Sequence, residues 1–190
     1  MTLIYVVDTE TTGLNGGPED LVVDVGIVAA DLGTGKVSNY FSSVVGYPEN
    51  MIRKHEKAWV FRNTNLSYRQ VLNGPSAYYV MARVAECLAG ERVTSYNTEF
   101  DFGKFLYNSP WELTDVFVEC DCIMSSVWKA FPDLGRKGGY PKLQAAYDLL
   151  CPDDPVGIGR QRHRALSDAA MAAHVMCALH RMGKYDGGDA

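Results

Sequence analysis

The sequence of 190 residues lacks several features that would place it in common classes of protein. It contains no apolar run long enough to cross a bilayer, so no membrane partner is expected. Its first residues do not combine a basic segment with an apolar core, which argues against a secretory signal and favours a cytoplasmic location. The five cysteines are scattered and include no second pair at zinc-ligand spacing, so we expect free thiols in a reducing compartment.

An excess of basic side chains is also missing. The net charge is −5 and the isoelectric point is about 5.3, which argues against binding of long nucleic acid through a broad basic surface. A small binding footprint whose positive charge comes from metal ions remains compatible with these values. With 47% hydrophobic residues the chain can form one compact domain. We expect that domain to span residues 1–184 and to be followed by a disordered tail, 185–190.

The distribution of apolar residues predicts an α/β fold with a mixed sheet, because three early strands are followed by alternating helices and strands. The segment 47–75 has irregular polarity and gives only weak helical signals. The predicted strands are 3–8, two within 21–45, 92–97 and 115–122, and the predicted helices are 77–88, 123–131, 142–150 and 165–182.

The stretch "VVDTETTGLNGGPEDL", residues 6–21, nearly fits a calcium-binding loop, but a strand precedes it and Pro18 with two glycines disfavours a following helix. On a strand, Asp8 and Glu10 leave from the same face. Two adjacent carboxylates repel each other, so a bound cation would stabilise them. A pair of solvated acids at a strand end explains this stretch about as well when it is taken alone.

Two later acids lie in unusually apolar surroundings. Asp168 belongs to "ALSDAAMAAHVMCAL", a helix apolar enough to be buried, and Asp101 lies among phenylalanines in "SYNTEFDFGKFL". A buried carboxylate is costly unless it is paired or bound to a metal. Helix-terminal roles are the alternatives: Asp168 in a first turn, and Asp101 or Asn97 as an N-cap.

His163 precedes Asp168 by five residues, which correspond to about 500° of helical rotation, so the two cannot share a helix face. We therefore place His163 in the loop before the helix, from which it could reach a site that contains Asp168. Arginines at 160, 162 and 164 surround it; they could contact phosphate, and the alternative is a solvated loop.

Three segments, "DTETTGL", "NTEFDFGKFL" and "HRALSDA", resemble in order the three motifs of the DEDDh exonuclease family. The resemblance covers residues 3–182. It implies a ribonuclease H-like fold, with a mixed five-stranded sheet flanked by helices. It also implies a metal-dependent 3′→5′ exonuclease that acts on single-stranded DNA or RNA ends. The matching acids are Asp8, Glu10, Asp101 and Asp168, and the matching histidine is His163.

By the same resemblance, the four acids hold two divalent cations, for which oxygen ligands favour Mg²⁺ or Mn²⁺. His163 is then the general base, and the products are nucleoside 5′-monophosphates. Leu14 would wedge against the terminal bases and the backbone near Thr11 and Thr12 would meet the 3′-hydroxyl. Further candidates for substrate binding are Asn97, Phe100 by stacking and Arg162 by phosphate contact.

The sequence departs from the family at Tyr96, where relatives often carry histidine, and in the segment 47–75, which does not clearly show their short helices. DNA is slightly favoured over RNA as substrate, with a role in DNA repair. Two alternatives are an oligoribonuclease-like hydrolase of short RNA and a non-catalytic binding module on the same fold. Many members of the family form dimers, so the resemblance implies a homodimer. Nothing in the sequence indicates a polymerase partner.

Overall fold

The computed structural model describes residues 3–135, 139–157, 160–161 and 163–188. Its five strands form one sheet in the order β3-β2-β1-β4-β5, in which β1, β2 and β3 are antiparallel and β4 and β5 run parallel to β1. The predicted mixed five-stranded sheet is therefore confirmed. The strands are β1 Leu3–Thr11, β2 Val22–Asp31, β3 Lys36–Val44, β4 Arg92–Ser95 and β5 Val118–Glu119.

Helices cover both faces of this sheet. None of the helices in the described part of the chain is long and apolar enough to cross a membrane. The α-helices are α1 Glu49–Ile52, α2 Trp59–Asn63, α3 Tyr68–Leu72, α4 Ala77–Leu88, α5 Ile123–Ala130, α6 Leu143–Leu150 and α7 Ala165–Arg181; a π-helix spans Glu99–Leu106, and 3₁₀ helices span Arg53–His55 and Pro132–Leu134.

The alternation of side chains along β1 decides which face its acids occupy. Ile4 and Val6 pack in the core that contains α5, α6 and α7, whereas Tyr5 and Val7 pack in the core beneath α4. Because side chains alternate between the two faces of a strand, positions 8 and 10 continue the series of residues 4 and 6. The carboxylates of β1 therefore point to the side of the sheet on which α7 lies.

Helix α7 begins directly above β2, and Gly26 makes this close approach possible. A Cβ at position 26 would lie 2.2 Å from the Leu166 amide nitrogen and 2.4 Å from the Ala165 carbonyl carbon. Gly26 is the β2 residue opposite Asp8. The absence of a side chain there brings the first turn of α7 over the end of β1.

Three regions differ from the sequence-based expectations. Segment 47–75 contains α1, α2 and α3, each of only four or five residues, which is too short to give a clear periodicity. Strand β5 has only two residues, because it pairs at the sheet edge with the short β4. The expected loose tail is wrong at Tyr185, whose side chain is buried and donates a 2.9 Å hydrogen bond to the Asp121 carbonyl.

The contact at Gly26 leads to a stability prediction. Gly26→Ala should lower the free energy of unfolding by roughly 1–3 kcal/mol, the usual cost of overpacking a core, because the new methyl group would push α7 away from β2. Urea denaturation measures the change. Gly33→Ala is the matched control, since a Cβ there would meet only Asp31 Oδ1 at 3.4 Å, an ordinary contact. Equal stability of the two variants would contradict the prediction.

Candidate active site

The loop that follows β1 is held by its own polar groups. The Thr12 amide donates to the Leu21 carbonyl, and the Thr12 hydroxyl accepts from the Leu21 amide, both at 2.9 Å. The Asp20 carboxylate accepts from the Asn15 amide and lies where a side chain at Gly13 would have to stand. These hydrogen bonds fix the loop in a conformation that leaves Leu14 71% exposed.

The four acids singled out in the sequence meet in one cleft of about 170 Å³ at the end of β1. They arrive from three elements: two from β1, one from the π-helix and one from the first turn of α7. The cleft is lined by Asp8, Thr9, Glu10, Tyr96, Asn97, Phe100, Asp101, Leu143, Gln161, His163 and Asp168.

Asp101 is buried and is bound to β1. Its Oδ1 accepts from the Thr9 amide at 3.1 Å and from the Thr9 hydroxyl at 2.7 Å. The N-cap alternative for Asp101 is therefore wrong, because its carboxylate binds a strand and not the turn that follows it. Asn97 does cap that turn, since its Oδ1 accepts from the Phe100 amide at 3.4 Å.

Asp168 lies in the first turn of α7 and is 1% exposed. Gln161 donates from Nε2 to Asp168 Oδ2 at 2.5 Å, and His163 Nδ1 lies 3.9 Å from the same oxygen. The His163 ring also meets Trp59 edge to face, with ring centroids 5.1 Å apart. As expected, His163 precedes the helix, and it is the loop that brings its imidazole to Asp168.

Burial raises the pKa of every acid in the cleft, and repulsion between the carboxylates adds to this effect at Asp8 and Glu10. Burial places the pKa of Asp8 well above its usual range, and the charges of Asp101, Asp168 and Glu10 raise it further. Burial, followed by repulsion from Asp168, raises the pKa of Glu10 to about 8. The pKa values of Asp101 and Asp168 rise to about 6 through burial, although hydrogen bonds from Thr9 and Gln161 lower them in part.

The donor set fits a hard divalent cation. Ligand atoms of Glu10, His163 and Asp168 all lie within 4.8 Å of one another, and Asp8 and Asp101 line the same cleft. No lysine or arginine is among the described residues of the cleft lining, so the carboxylate charge has no cationic side chain within it. A group of acids with raised pKa values and few basic neighbours would be stabilised by bound metal ions.

The structure separates the other predicted site residues into three groups. Asn97 and Phe100 line the cleft. Thr11 is the last residue of β1, and Thr12 and Leu14 belong to the loop that follows. All three lie outside the lining, and the Thr12 amide is already bonded to Leu21. Arg162 lies outside the described residues.

Several neighbours of the acids were not found from the sequence. Gln161 and Trp59 gave no signal, because their contacts with the site join distant or irregular segments. Asp24 did give one, since it interrupts the apolar strand "LVVDVGIVAA" just as Asp168 interrupts its helix. Tyr96, the departure from the family, donates its hydroxyl to the Pro141 carbonyl at 2.8 Å and so closes one wall of the cleft.

Comparison with known families decides which enzymes share this arrangement. A sequence profile of the exonuclease family named after ribonuclease T matches residues 5–176, nearly the whole chain. The chain belongs to this family. It is thus an exonuclease, a phosphodiester hydrolase, and its cleft contains the four acids and the histidine that the resemblance to DEDDh exonucleases indicated. No curated protein sequence matches it significantly.

Solved structures share the fold of this exonuclease at low sequence identity. Exonuclease X in complex with 5′ overhanging duplex DNA is 20% identical, with a TM-score of 0.66 over 98% of this chain and 96% of that one. The nuclease domain of 3′hExo, a DEDDh family member bound to rAMP, is 15% identical, with a TM-score of 0.70 over 98% and 96% of the two chains. Exonuclease I from Methylocaldum szegediense is 16% identical, with a TM-score of 0.65 over 95% of this chain and 41% of that one.

The raised pKa values predict how pH affects the metal-free exonuclease. A carboxyl group with a higher pKa in the folded than in the unfolded state holds more protons when folded, so stability falls as pH rises between the two values. That interval runs from 3.8 to about 6 for Asp101 and Asp168, and from 4.5 to about 8 for Glu10. In EDTA, the free energy of unfolding should therefore decrease from pH 4.5 to pH 8.

Asp8→Asn tests the same repulsion at neutral pH. In EDTA the variant should be more stable than the parent by roughly 0.5–2 kcal/mol, as is common when a strained functional site is relaxed. It should also lose most of the stabilisation that Mn²⁺ gives the parent, because a carboxylate is missing. Thermal unfolding with and without Mn²⁺ measures both effects. The exposed Asp133→Asn is the control and should change neither; a destabilised Asp8→Asn in EDTA would refute the repulsion.

Proposed function

We propose that this exonuclease removes nucleotides one at a time from single-stranded 3′ ends and prefers DNA to RNA. The observation that carries the proposal is the convergence of four carboxylates and one half-buried histidine in a single cleft. The family match over residues 5–176 also supports the predicted single domain, 1–184. A homodimer stays a prediction from the resemblance.

In this proposal Asp8, Glu10, Asp101 and Asp168 hold two Mg²⁺ or Mn²⁺ ions. When bound, such ions stabilise negative charge on the scissile phosphate and on the departing oxygen and help to activate water. Half of the ligand positions are fixed before any ion binds, because Thr9 orients Asp101 and Gln161 orients Asp168. Fixed ligands reduce the reorganisation needed to reach a productive geometry.

His163 accepts the proton of the attacking water in this scheme. Its imidazole is close to Asp168 and is 40% exposed, so it can pass the proton on to solvent. The bond between phosphorus and the 3′-oxygen of the penultimate nucleotide breaks, and water supplies the new oxygen on phosphorus. The departing 3′-oxygen takes up a proton and becomes the 3′-hydroxyl of the shortened strand. The released product is a nucleoside 5′-monophosphate.

The terminal nucleotide would lie between the loop of Leu14 and the wall formed by Asn97 and Phe100. Leu14 is exposed at the tip of its loop and is available to wedge against a base. The Lys104 ammonium donates to the Leu14 carbonyl at 2.9 Å and lies 5.9 Å from the centre of the Phe100 ring. It thereby adds positive charge on the side from which the strand enters.

The preference for DNA rests on the family's breadth and on the fold shared with Exonuclease X bound to DNA. A second candidate is an oligoribonuclease-like activity on short RNA, favoured by the fold shared with the nuclease domain bound to rAMP. The two differ in how they treat the 2′-hydroxyl and strand length. Competition between matched DNA and RNA strands, long and short, separates them.

The test uses DNA and RNA oligomers of identical sequence labelled at the 5′ end. With Mg²⁺ or Mn²⁺, the protein should shorten each strand from its 3′ end and release mononucleotides, with higher kcat/KM for DNA. Asp8→Ala and EDTA should abolish the reaction. His163→Ala should slow it by roughly 10²–10⁴-fold, the usual contribution of a general base.

The exposed Asp133→Asn variant serves as the control and should retain full activity. Higher kcat/KM for short RNA would favour the second candidate. Intact DNA and RNA oligomers after incubation with either metal would refute the proposed activity, and binding without hydrolysis would favour the non-catalytic alternative.

A further inference from the structure

A fifth buried carboxylate, Asp24, lies beside the site. It stands opposite Glu10 on the adjacent strand and is 1% exposed. Its Oδ2 accepts from Arg164 Nε at 2.7 Å and from the Ala165 amide at 3.2 Å, and its Oδ1 accepts from Arg164 Nη2 at 3.4 Å. Asp24 is thus bonded to the residue that follows His163 and to the first residue of α7.

These bonds distinguish Asp24 from the four acids of the cleft. Both of its oxygens face the guanidinium of Arg164, which balances its charge, and Asp24 is not among the residues that line the cleft. The Asp24 carboxylate accepts a hydrogen bond from the Ala165 amide at the start of α7, as an N-cap side chain would, but Asp24 belongs to a neighbouring strand. Asp24 therefore binds the start of α7, and in the proposed scheme the cations are held by the four acids of the cleft.

The loop that carries His163 to the start of α7 has a backbone conformation that must be held by its surroundings. His163 has a φ of 51°, in the left-handed region that a residue with a side chain adopts only when its surroundings impose it. The loop is fixed before this position at Gln161, which is bonded to Gln144 and to Asp168. It is fixed after this position by the pair of Arg164 with Asp24.

We propose that the Asp24–Arg164 ion pair is a positioning device that holds His163 over Asp168. The inference rests on the proposed function, because it assigns the pair an effect on the general base. Three contacts act together: Gly26 admits the helix, Asp24 binds its first amide, and Arg164 fixes the loop end. His163 then lies close to both Asp168 and Trp59.

A purely stabilising role is a poor explanation for this pair. Asp24 is buried whereas the Arg164 side chain is 32% exposed. Replacing both partners of such a pair by apolar residues is often neutral or stabilising, although removing one partner alone is costly. The two bonds to the guanidinium give a defined orientation, which an apolar contact would not. A defined orientation of the loop that carries His163 is what would keep the imidazole close to Asp168.

The experiment is a double-mutant cycle between Arg164→Gln and His163→Ala, read out as kcat and KM on a single-stranded DNA oligomer. Arg164→Gln alone should lower kcat by roughly 10–100-fold, the penalty for a misplaced catalytic group, with little change in KM. In the His163→Ala background it should cost less than about threefold, because the two residues act through one step. Arg164→Lys should retain part of the activity, since an ammonium keeps the charge but not the paired bonds.

A readout independent of activity follows the imidazole itself. The ring of Trp59 should shift the C–H signals of His163 in NMR spectra, which are assigned by their absence in His163→Ala. Arg164→Gln should move them towards their position in Trp59→Ala. The exposed pair of Arg83 with Glu86 supplies the control, and Arg83→Gln should leave kcat and these signals unchanged.

Additive effects in the cycle, or unmoved His163 signals in Arg164→Gln, would overturn the inference while the exonuclease activity stands. Inactivity of the unaltered protein with both metals would instead refute the proposed function, and the NMR comparison would still decide whether the pair positions His163. Loss of folding in Arg164→Gln would shift the test to Arg164→Lys, for which unchanged kcat and unmoved signals count against the inference.

Discussion

The repulsion among carboxylates at the end of β1 is the constraint on which the site depends. Burial raises the pKa values of all four acids, and repulsion raises those of Asp8 and Glu10 further, so the folded chain opposes their ionisation. Bound cations would remove this penalty, and the cleft offers oxygen ligands to receive them. The metal-free fold therefore maintains a high-energy arrangement that metal binding would stabilise.

The rest of the fold is organised to hold these groups in place. Alternation along β1 directs Asp8 and Glu10 to the α7 side, and Gly26 lets that helix approach closely. Thr9 and Gln161 then orient the acids that arrive from the other elements. No lysine or arginine lines the cleft in the described part of the chain, and the net charge of the whole sequence is −5.

Local patterns predicted the regular elements better than the irregular ones. Strand β1 and helix α7 were predictable because β1 is a short run of β-branched and aromatic residues and α7 is a long, almost uninterrupted apolar segment. The short helices of 47–75 were not, since a single turn gives no periodicity. Tyr185 differs from the loose tail expected there, because the contact that buries it is made with Asp121, a residue distant in the sequence.

For the site, the sequence by itself determined which acids were unusual, since a carboxylate in an apolar strand or helix is conspicuous without any structure. It also determined the order of the motifs and the placement of His163 before its helix. Only the tertiary structure decided that Gln161 binds Asp168, that Trp59 meets His163, and that Asp24 holds Arg164. Those contacts join segments up to 140 residues apart along the chain. No local preference encodes them, because they exist only once the sheet and α7 have packed together.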